Sequence, residues 1–179
     1  MTATETETGV ATGAEEDGRA MIGHRSQTRF ADHPVNDAMV RHYCAATEDP
    51  NPHYWRPETG VTHWGGTVSP PGLLTTWLMP LQWTPERGHA CGSGNLAPRL
   101  PLPGTSMINV ATDTTFFRPI YQGVRLNATE EVVDVSETKR TRLGTGNFVT
   151  TLVVYRDEAG ERVAESRNTL FRFTPVEEA

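Results

Sequence analysis

The sequence predicts an α+β fold, an antiparallel sheet wrapped around one long buried helix. Three observations carry this expectation. Beyond Pro70, residues Leu73, Leu74, Trp77, Leu78 and Leu81 form a broad apolar face, with Thr75 and Thr76 its polar interruption before Gln82; such a helix is buried on most sides. Four long β-rich runs follow, at 107–118, 124–135, 147–156 and 162–173. Turn signals at Gln122-Gly123, at 144–146 and at Ala159-Gly160 separate them, so the strands are antiparallel neighbours. A length of 179 residues suits one domain with a sizeable core.

The elements follow in order. Residues 1–22 are rich in Thr, Glu, Gly and Ala without apolar periodicity and are expected to form a disordered acidic tail. The folded domain is expected to span 23–176. A helix is predicted over 36–47. Asn36 caps it, Asp37 suits the positive end of its dipole, and Met39, Val40, Tyr43 and Ala46 give an apolar stripe. Residues 49–68 mix aromatic rings and histidines with prolines and glycines and are expected to be an ordered loop over the body. The central helix begins near Pro70, because a first-turn proline lacks an amide that would have no partner there anyway. Pro80 ends or kinks it. The stretch 84–104 is Gly- and Pro-rich and predicts no element.

Charge and composition exclude several classes. Of the net charge of −6, the tail carries −4 (Glu5, Glu7, Glu15, Glu16 and Asp17 less Arg19), which leaves about −2 for the body (−6 less −4). That is no basic footprint for nucleic acid. The start lacks the basic and apolar regions of a signal peptide, and no run approaches the ~20 apolar residues of a membrane span. Cys44 and Cys91 make no metal spacing or disulfide framework. A cytoplasmic protein without a metal is expected.

The residues that carry chemistry lie between Thr47 and Tyr54, in the run Thr-Glu-Asp-Pro-Asn-Pro-His-Tyr. Prolines stiffen the chain around Asp49 and Asn51, and a rigid loop holds a carboxylate in the fixed geometry that general acid/base work needs. The same residues also suit a tight turn, in which Asp and Asn bond their own backbone. Tyr54 titrates near 10 in its unperturbed state, so at pH 7 it cannot accept a proton as imidazole does, although it can donate a hydrogen bond. The Gly72 amide, at the start of the buried helix, either faces a developing oxyanion or marks close packing. Trp55, His63 and Trp64 line an acyl pocket or belong to the core. Lys139, Arg140 and Arg142 meet phosphates or form a solvated turn.

The loop resembles the D-x-N-P-x-H segment of MaoC-like R-specific enoyl-CoA hydratases. Asp49, Asn51 and Pro52 fall on the pattern, Tyr54 stands where the family has its catalytic histidine, and His53 is one residue early and expected to point elsewhere. Ser69-Pro70-Pro71-Gly72-Leu73-Leu74-Thr75-Thr76-Trp77, the run from Lys139 to Thr150, and Phe171-Arg172-Phe173-Thr174-Pro175 are similar to one branch, the FAS1-like dehydratase type. That branch includes the MaoC-like partner subunits of actinobacterial hydratases acting on steroid side chains as CoA thioesters. The resemblance implies a hotdog fold, an acyl-CoA thioester as ligand, and no cofactor beyond the coenzyme A that the substrate carries. It implies Asp49, Asn51, Tyr54 and Gly72 at the catalytic position, with Gly72 as oxyanion donor, and Trp55, His63, Trp64, Lys139, Arg140 and Arg142 around the substrate. It also implies a second MaoC-like hotdog subunit bearing an Asp–His pair, in a heterodimer or heterotetramer, or else a homodimer.

Three other functions stay open on sequence. One is a self-sufficient hydratase using Asp49 with Tyr54 or a shifted His53. The second is a hotdog thioesterase, which needs a carboxylate near the thioester and no histidine. The third is an acyl-CoA sensor without chemistry.

Overall fold

A computed structural model describes residues 4–5, 10–86, 88–89 and 95–176. Cys91 and part of the 84–104 stretch lie outside the described residues. β1 (Thr4–Glu5) pairs with β2 (Ala11–Thr12), and α1 (Glu15–Arg19) and β3 (Arg29–Phe30) follow. Next come α2 (Asp37–Ala46), α3 (Pro52–Trp55) and α4 (Pro57–Trp64), two 3-10 turns at Pro71–Leu73 and Thr76–Leu78, and a short hairpin of β4 (Trp83–Thr84) and β5 (Gly88–His89). After a 3-10 turn at Ala97–Arg99, the chain is strand-rich: β6 (Ser106–Phe116), β7 (Asn127–Val135), β8 (Lys139–Arg140), β9 (Gly144–Arg156) and β10 (Arg162–Pro175).

The main sheet is antiparallel throughout, in the order β3-β7-β9-β10-β6, with β8 pairing the start of β9. This is the hotdog arrangement. The long strands are within a few residues of the β-rich runs, because period-2 alternation is a local property: in β9, Val149, Thr151, Val153 and Tyr155 are buried and their neighbours are not. Among the described residues no helix is long and apolar enough to cross a membrane.

The central helix departs from expectation. In place of one long helix over 70–81, the chain makes 3-10 turns between 71 and 78, closed by three-residue bonds such as Leu73 N to Pro70 O and Leu78 N to Thr75 O. Pro70 and Pro71 remove the first two amides and Pro80 blocks continuation, so a full α-helical ladder never assembles. The apolar positions still reach the core: Leu73, Leu74, Trp77 and Leu78 are buried with Val40, Cys44, Ala128, Tyr155 and Ala164. Leu81 and Met79, by contrast, are exposed.

Two further expectations are corrected. The 49–68 loop holds two short helices, α3 and α4, each opened by a proline in its first turn. Residues 10–22 are no free tail, because they lie along the body. Val10 and Ala11 are buried, a side chain at Gly18 would run into Leu102, and the Glu15 carboxylate accepts from the Thr138 amide and hydroxyl. The anchor is Arg172, wholly buried, whose guanidinium donates to carbonyls of Gly104 at 2.9 Å, Leu100 at 3.1 Å and Ala11. These are tertiary contacts, and local periodicity carries no trace of them.

Candidate functional site

The last turn of α2 sets up the site. Asn36 caps the helix by accepting from the Met39 amide at 3.0 Å, as its sequence position predicts. At the other end Glu48 takes a left-handed conformation, φ 53°, and the Asp49 amide reaches back to the Cys44 carbonyl at 2.9 Å. The chain then turns through two side-chain–backbone bonds. Asp49 Oδ1 accepts from the Asn51 amide at 2.9 Å, and Asn51 Oδ1 accepts from the His53 amide at 3.1 Å and so caps α3. The Trp55 indole donates to the Asp49 carbonyl at 2.7 Å. The half-buried Asp49 is therefore tied into its own turn by one carboxylate oxygen, and its charge is felt by the residues around it.

Tyr54 is one of them. Burial, and then the nearby Asp49 charge, hold its hydroxyl above the ordinary tyrosine range. It is protonated at neutral pH and so is able to donate a hydrogen bond. Burial and the same carboxylate also raise the Cys44 thiol, which keeps it an inert part of the core.

A cavity of about 400 Å³ opens beside this loop. Its walls include Asn51, His53 and Tyr54 on one side, Ser69 and Pro71 beside the 3-10 turns, and Phe116, Phe117 and Arg118 at the end of β6. The lining is mainly apolar with a few convergent polar groups, as small-molecule sites are. Among the described residues, no group of three or more His, Cys, Asp or Glu comes together to hold a metal ion.

Several expected site residues meet here and others do not. Asn51, Tyr54 and Trp64 line the cavity, and the exposed His63 lies against two of its wall residues, edge-on to Trp64 with ring centroids 4.7 Å apart and tilted on His53 at 5.1 Å. Asp49, Trp55 and Gly72 are not among the residues that line it. Trp55 packs on the core with the Arg41 guanidinium over its ring. A Cβ at Gly72 would land on the Tyr43 hydroxyl, so the glycine makes room for a tyrosine side chain. Lys139, Arg140 and Arg142 are remote. β8 pairs with Gly146 and Thr145, whereas Phe116 lies across β10 from Tyr155. Nine residues of strand between those points, at ~3.3 Å each, make roughly 30 Å.

His53 was expected to point elsewhere and instead lines the cavity next to Tyr54, with its Nδ1 buried and unpartnered among the described residues. On a helical turn, consecutive residues diverge by about 100°, yet both His53 and Tyr54 line this cavity. The signal was present: Asn51 followed by Pro52 is an N-cap and first-turn pair, which places residues 53 and 54 on a helix. Arg118, the cation on the cavity wall, was hidden at the end of a strand run. It bonds Glu161 at 3.0 Å and approaches Asp157 at 3.5 Å.

Residues 20–166 match the family model described as FAS1-like, dehydratase domain region. The chain is 35% identical over 165 residues to a protein of Thermomonospora curvata named probable enoyl-CoA hydratase alpha subunit, covering 88% of this chain and 51% of the relative. It is 25% identical over 163 residues to the 3-oxo-4,17-pregnadiene-20-carboxyl-CoA hydratase alpha subunit of Mycobacterium tuberculosis, covering 84% of this chain and 49% of that one. The chain thus spans about half the length of the curated relatives it matches. In fold, it is similar to a crystal structure of the ChsH1–ChsH2 complex from Mycobacterium tuberculosis, with a TM-score of 0.74, 24% identity, and coverage of 92% of this chain and 91% of the other.

Proposed function

The chain belongs to the FAS1-like dehydratase family, and from that premise we propose that it is the acyl-CoA-binding subunit of an enoyl-CoA hydratase, paired with a second hotdog subunit that supplies the Asp–His pair. The observation that carries this reading is Tyr54. It stands on the cavity wall, in the family's loop, where the reaction needs a group that exchanges a proton near pH 7. Hydration of an enoyl thioester adds hydroxide at the β-carbon and a proton at the α-carbon, so a base must take a proton from water and an acid must return one. A tyrosine held above its ordinary range donates a hydrogen bond but does not take that proton. In this chain the loop orients and covers the acyl thioester, and the proton transfer belongs to the partner.

Two features support the pairing. β6 is an eleven-residue edge strand, exposed along most of its length, and carries Ile108, Val110 and Phe116 to the surface; such edges are normally paired or covered. Both curated relatives are named as alpha subunits. The steroid thioester in the name of the Mycobacterium tuberculosis relative supports a bulky acyl group of the steroid side-chain class. On this reading the coenzyme A of the substrate is the only cofactor, and Arg118, on the cavity wall and paired with Glu161 and Asp157, is the wall's arginine.

The test is turnover of an enoyl-CoA thioester, crotonyl-CoA and a steroid enoyl-CoA, by the chain alone and after mixing with a hotdog subunit bearing an Asp–His pair. The alone arm is expected to be near background and the mixture active, with Asp49→Asn in this chain changing the mixture's turnover little. A second reading, a self-sufficient hydratase using Asp49 with His53, draws on the position of His53 in the cavity. Robust turnover by the chain alone, abolished by His53→Gln or Asp49→Asn, would establish that reading and overturn the first.

A further inference from the structure

The polar groups on the wall of the first cavity differ in whether the protein already uses them. The Ser69 hydroxyl is engaged, donating to the Pro70 carbonyl at 3.3 Å and accepting from the Trp77 indole at 3.1 Å. Arg118 is paired with Glu161 and Asp157. Asn51 accepts from the His53 amide through Oδ1. The side chains of His53 and Tyr54, consecutive in α3, make no hydrogen bond among the described residues, and both line the cavity.

Ring contacts, not hydrogen bonds, hold the His53 imidazole. It is tilted on His63 at 5.1 Å and lies edge-on to Trp64 at 6.3 Å. The backbone of α4 is close as well, since a Cβ at Gly60 would meet the His53 carbonyl at 3.4 Å. Nδ1 is buried and without a partner among the described residues. The ring as a whole is half-buried and lines the cavity, so Nε2 is the nitrogen that a ligand reaches. In a neutral imidazole one nitrogen carries the proton and the other accepts. Buried N–H groups without an acceptor are rarer in proteins than buried acceptors without a donor. The proton is therefore assigned to Nε2, which leaves a lone pair, and not an N–H, at the buried Nδ1.

This tautomer decides what His53 can do. A base needs a lone pair at the nitrogen that reaches the substrate, and here that nitrogen holds the proton, so the ring is a donor. A neutral imidazole N–H polarises a carbonyl without giving up its proton. The oxygen of a thioester only accepts, and it gains negative charge as hydroxide adds at the β-carbon, so donors fixed in advance around it lower the barrier. The other candidate donor is the Gly72 amide. Gly72 is not among the residues that line the cavity, and the Tyr43 hydroxyl fills the space where its Cβ would stand.

We propose that His53 is the donor that holds the thioester carbonyl oxygen, from Nε2–H and beside the Tyr54 hydroxyl, in place of a Gly72 amide that does not line the cavity. The proposal rests on the acyl-CoA reading above and adds to it the residue that binds and polarises the thioester. His53 keeps its proton throughout, and the proton transfers stay with the partner's Asp–His pair.

The experiment uses the full chain in complex with its hotdog partner. Infrared difference spectra follow the carbonyl stretch of two saturated thioesters that cannot be hydrated, butyryl-CoA and a steroid acyl-CoA, each isotopically labelled at the thioester carbon. The stretch is expected at lower frequency in the wild type than in His53→Phe, which keeps a ring against His63 and Trp64 but has no donor. His53→Gln, whose amide N–H stands near the place of Nε2–H, is expected to keep the lowered band. Turnover of crotonyl-CoA or a steroid enoyl-CoA should fall by about 10²-fold in His53→Phe, the lower end for one lost oxyanion donor, and stay close to wild type in His53→Gln. Where His53→Phe lowers the yield of folded complex, the NMR spectrum of the wild-type ring nitrogens decides, and a proton on Nδ1 overturns the proposal. A band that does not move in His53→Phe, or turnover lost as fully in His53→Gln as in His53→Phe, overturns the donor and leaves the acyl-CoA reading standing. Failure of both thioesters to bind the wild-type complex overturns that reading and the donor with it.

Discussion

The two ends of the long sheet are finished in opposite ways. At the end where β9 begins, the inner face is sealed: Leu100, Leu102 and Arg172 are wholly buried, and the N-terminal segment is drawn in by the Arg172–Ala11 bond. At the end where β6 finishes, the inner face opens into the cavity of the Asp49–Tyr54 loop, with Phe116 and Phe117 left exposed. The sealed end buries a cation with backbone carbonyls for partners, an arrangement that burial penalises and that lowers the guanidinium to about 10. The open end leaves apolar surface exposed, and its wall includes His53, whose Nδ1 is buried without a partner among the described residues. The difference is one of packing: one end is closed by buried side chains, and the other leaves a cavity open.

The largest effect is expected at the sealed end. Arg172→Met removes the donor and leaves several buried carbonyls unbonded, each costing 1–3 kcal/mol; a loss of roughly 4 kcal/mol should appear in urea unfolding. Its pH dependence has a definite sign. The folded state holds the Arg172 proton less tightly than the unfolded chain, so burying its charge subtracts from what its bonds contribute throughout neutral pH, and stability rises only as pH climbs through about 10 towards the unfolded value. Stability that is flat through that window in Arg172→Met and rising in the wild type would sharpen the contrast.

Next comes the open end. Tyr54→His returns to the loop a group that titrates near 6.5. Turnover of an enoyl thioester by the isolated chain should rise by about 10²-fold, the lower end for a positioned acid/base. A limb near that pH should appear in the rate profile. The wild-type phenol, held above 10, contributes none between pH 5 and 8. An unchanged rate and a flat profile would place the missing chemistry elsewhere than at residue 54.

Gly72→Ala lies between the two ends in character. Its methyl would meet the Tyr43 hydroxyl, and a cost of about 2 kcal/mol is expected from overpacking. In the double variant Tyr43→Phe/Gly72→Ala most of that should return, as a thermodynamic cycle would show. Should Gly72→Ala instead leave stability alone and lower turnover of the assembled hydratase, the glycine is an oxyanion donor and not a packing device. The smallest effect belongs to the basic run: Lys139→Ala, Arg140→Ala and Arg142→Ala should each change acyl-CoA affinity of the chain by less than about 0.5 kcal/mol, because β8 is far from the cavity.

Much of this was legible in the residues. The four long strands, the Asn36 cap and the Asp49 turn all follow from local rules of alternation and side-chain–backbone bonding, which act over two to four residues and so leave a readable pattern. The Asp49–Tyr54 loop marked the segment that lines the first cavity through Asn51 and Tyr54, and the protonated state of Tyr54 follows because a side chain's titration range travels with its identity.

Other features depended on residues far apart in the chain. The shortening of the central helix followed from prolines whose cost had to be weighed against an apolar face, and only the packing shows which prevails. The docking of residues 10–22 needs Arg172, separated from Ala11 by 161 residues. The position of His53 on the cavity wall arises where a helical turn and the end of β6, distant in sequence, come together. Local chemistry determined what each segment can form and which protons it can hold. Tertiary structure decided which segments face one another and where space is left, because burial and cavities belong to the assembled surface and not to any single stretch of chain.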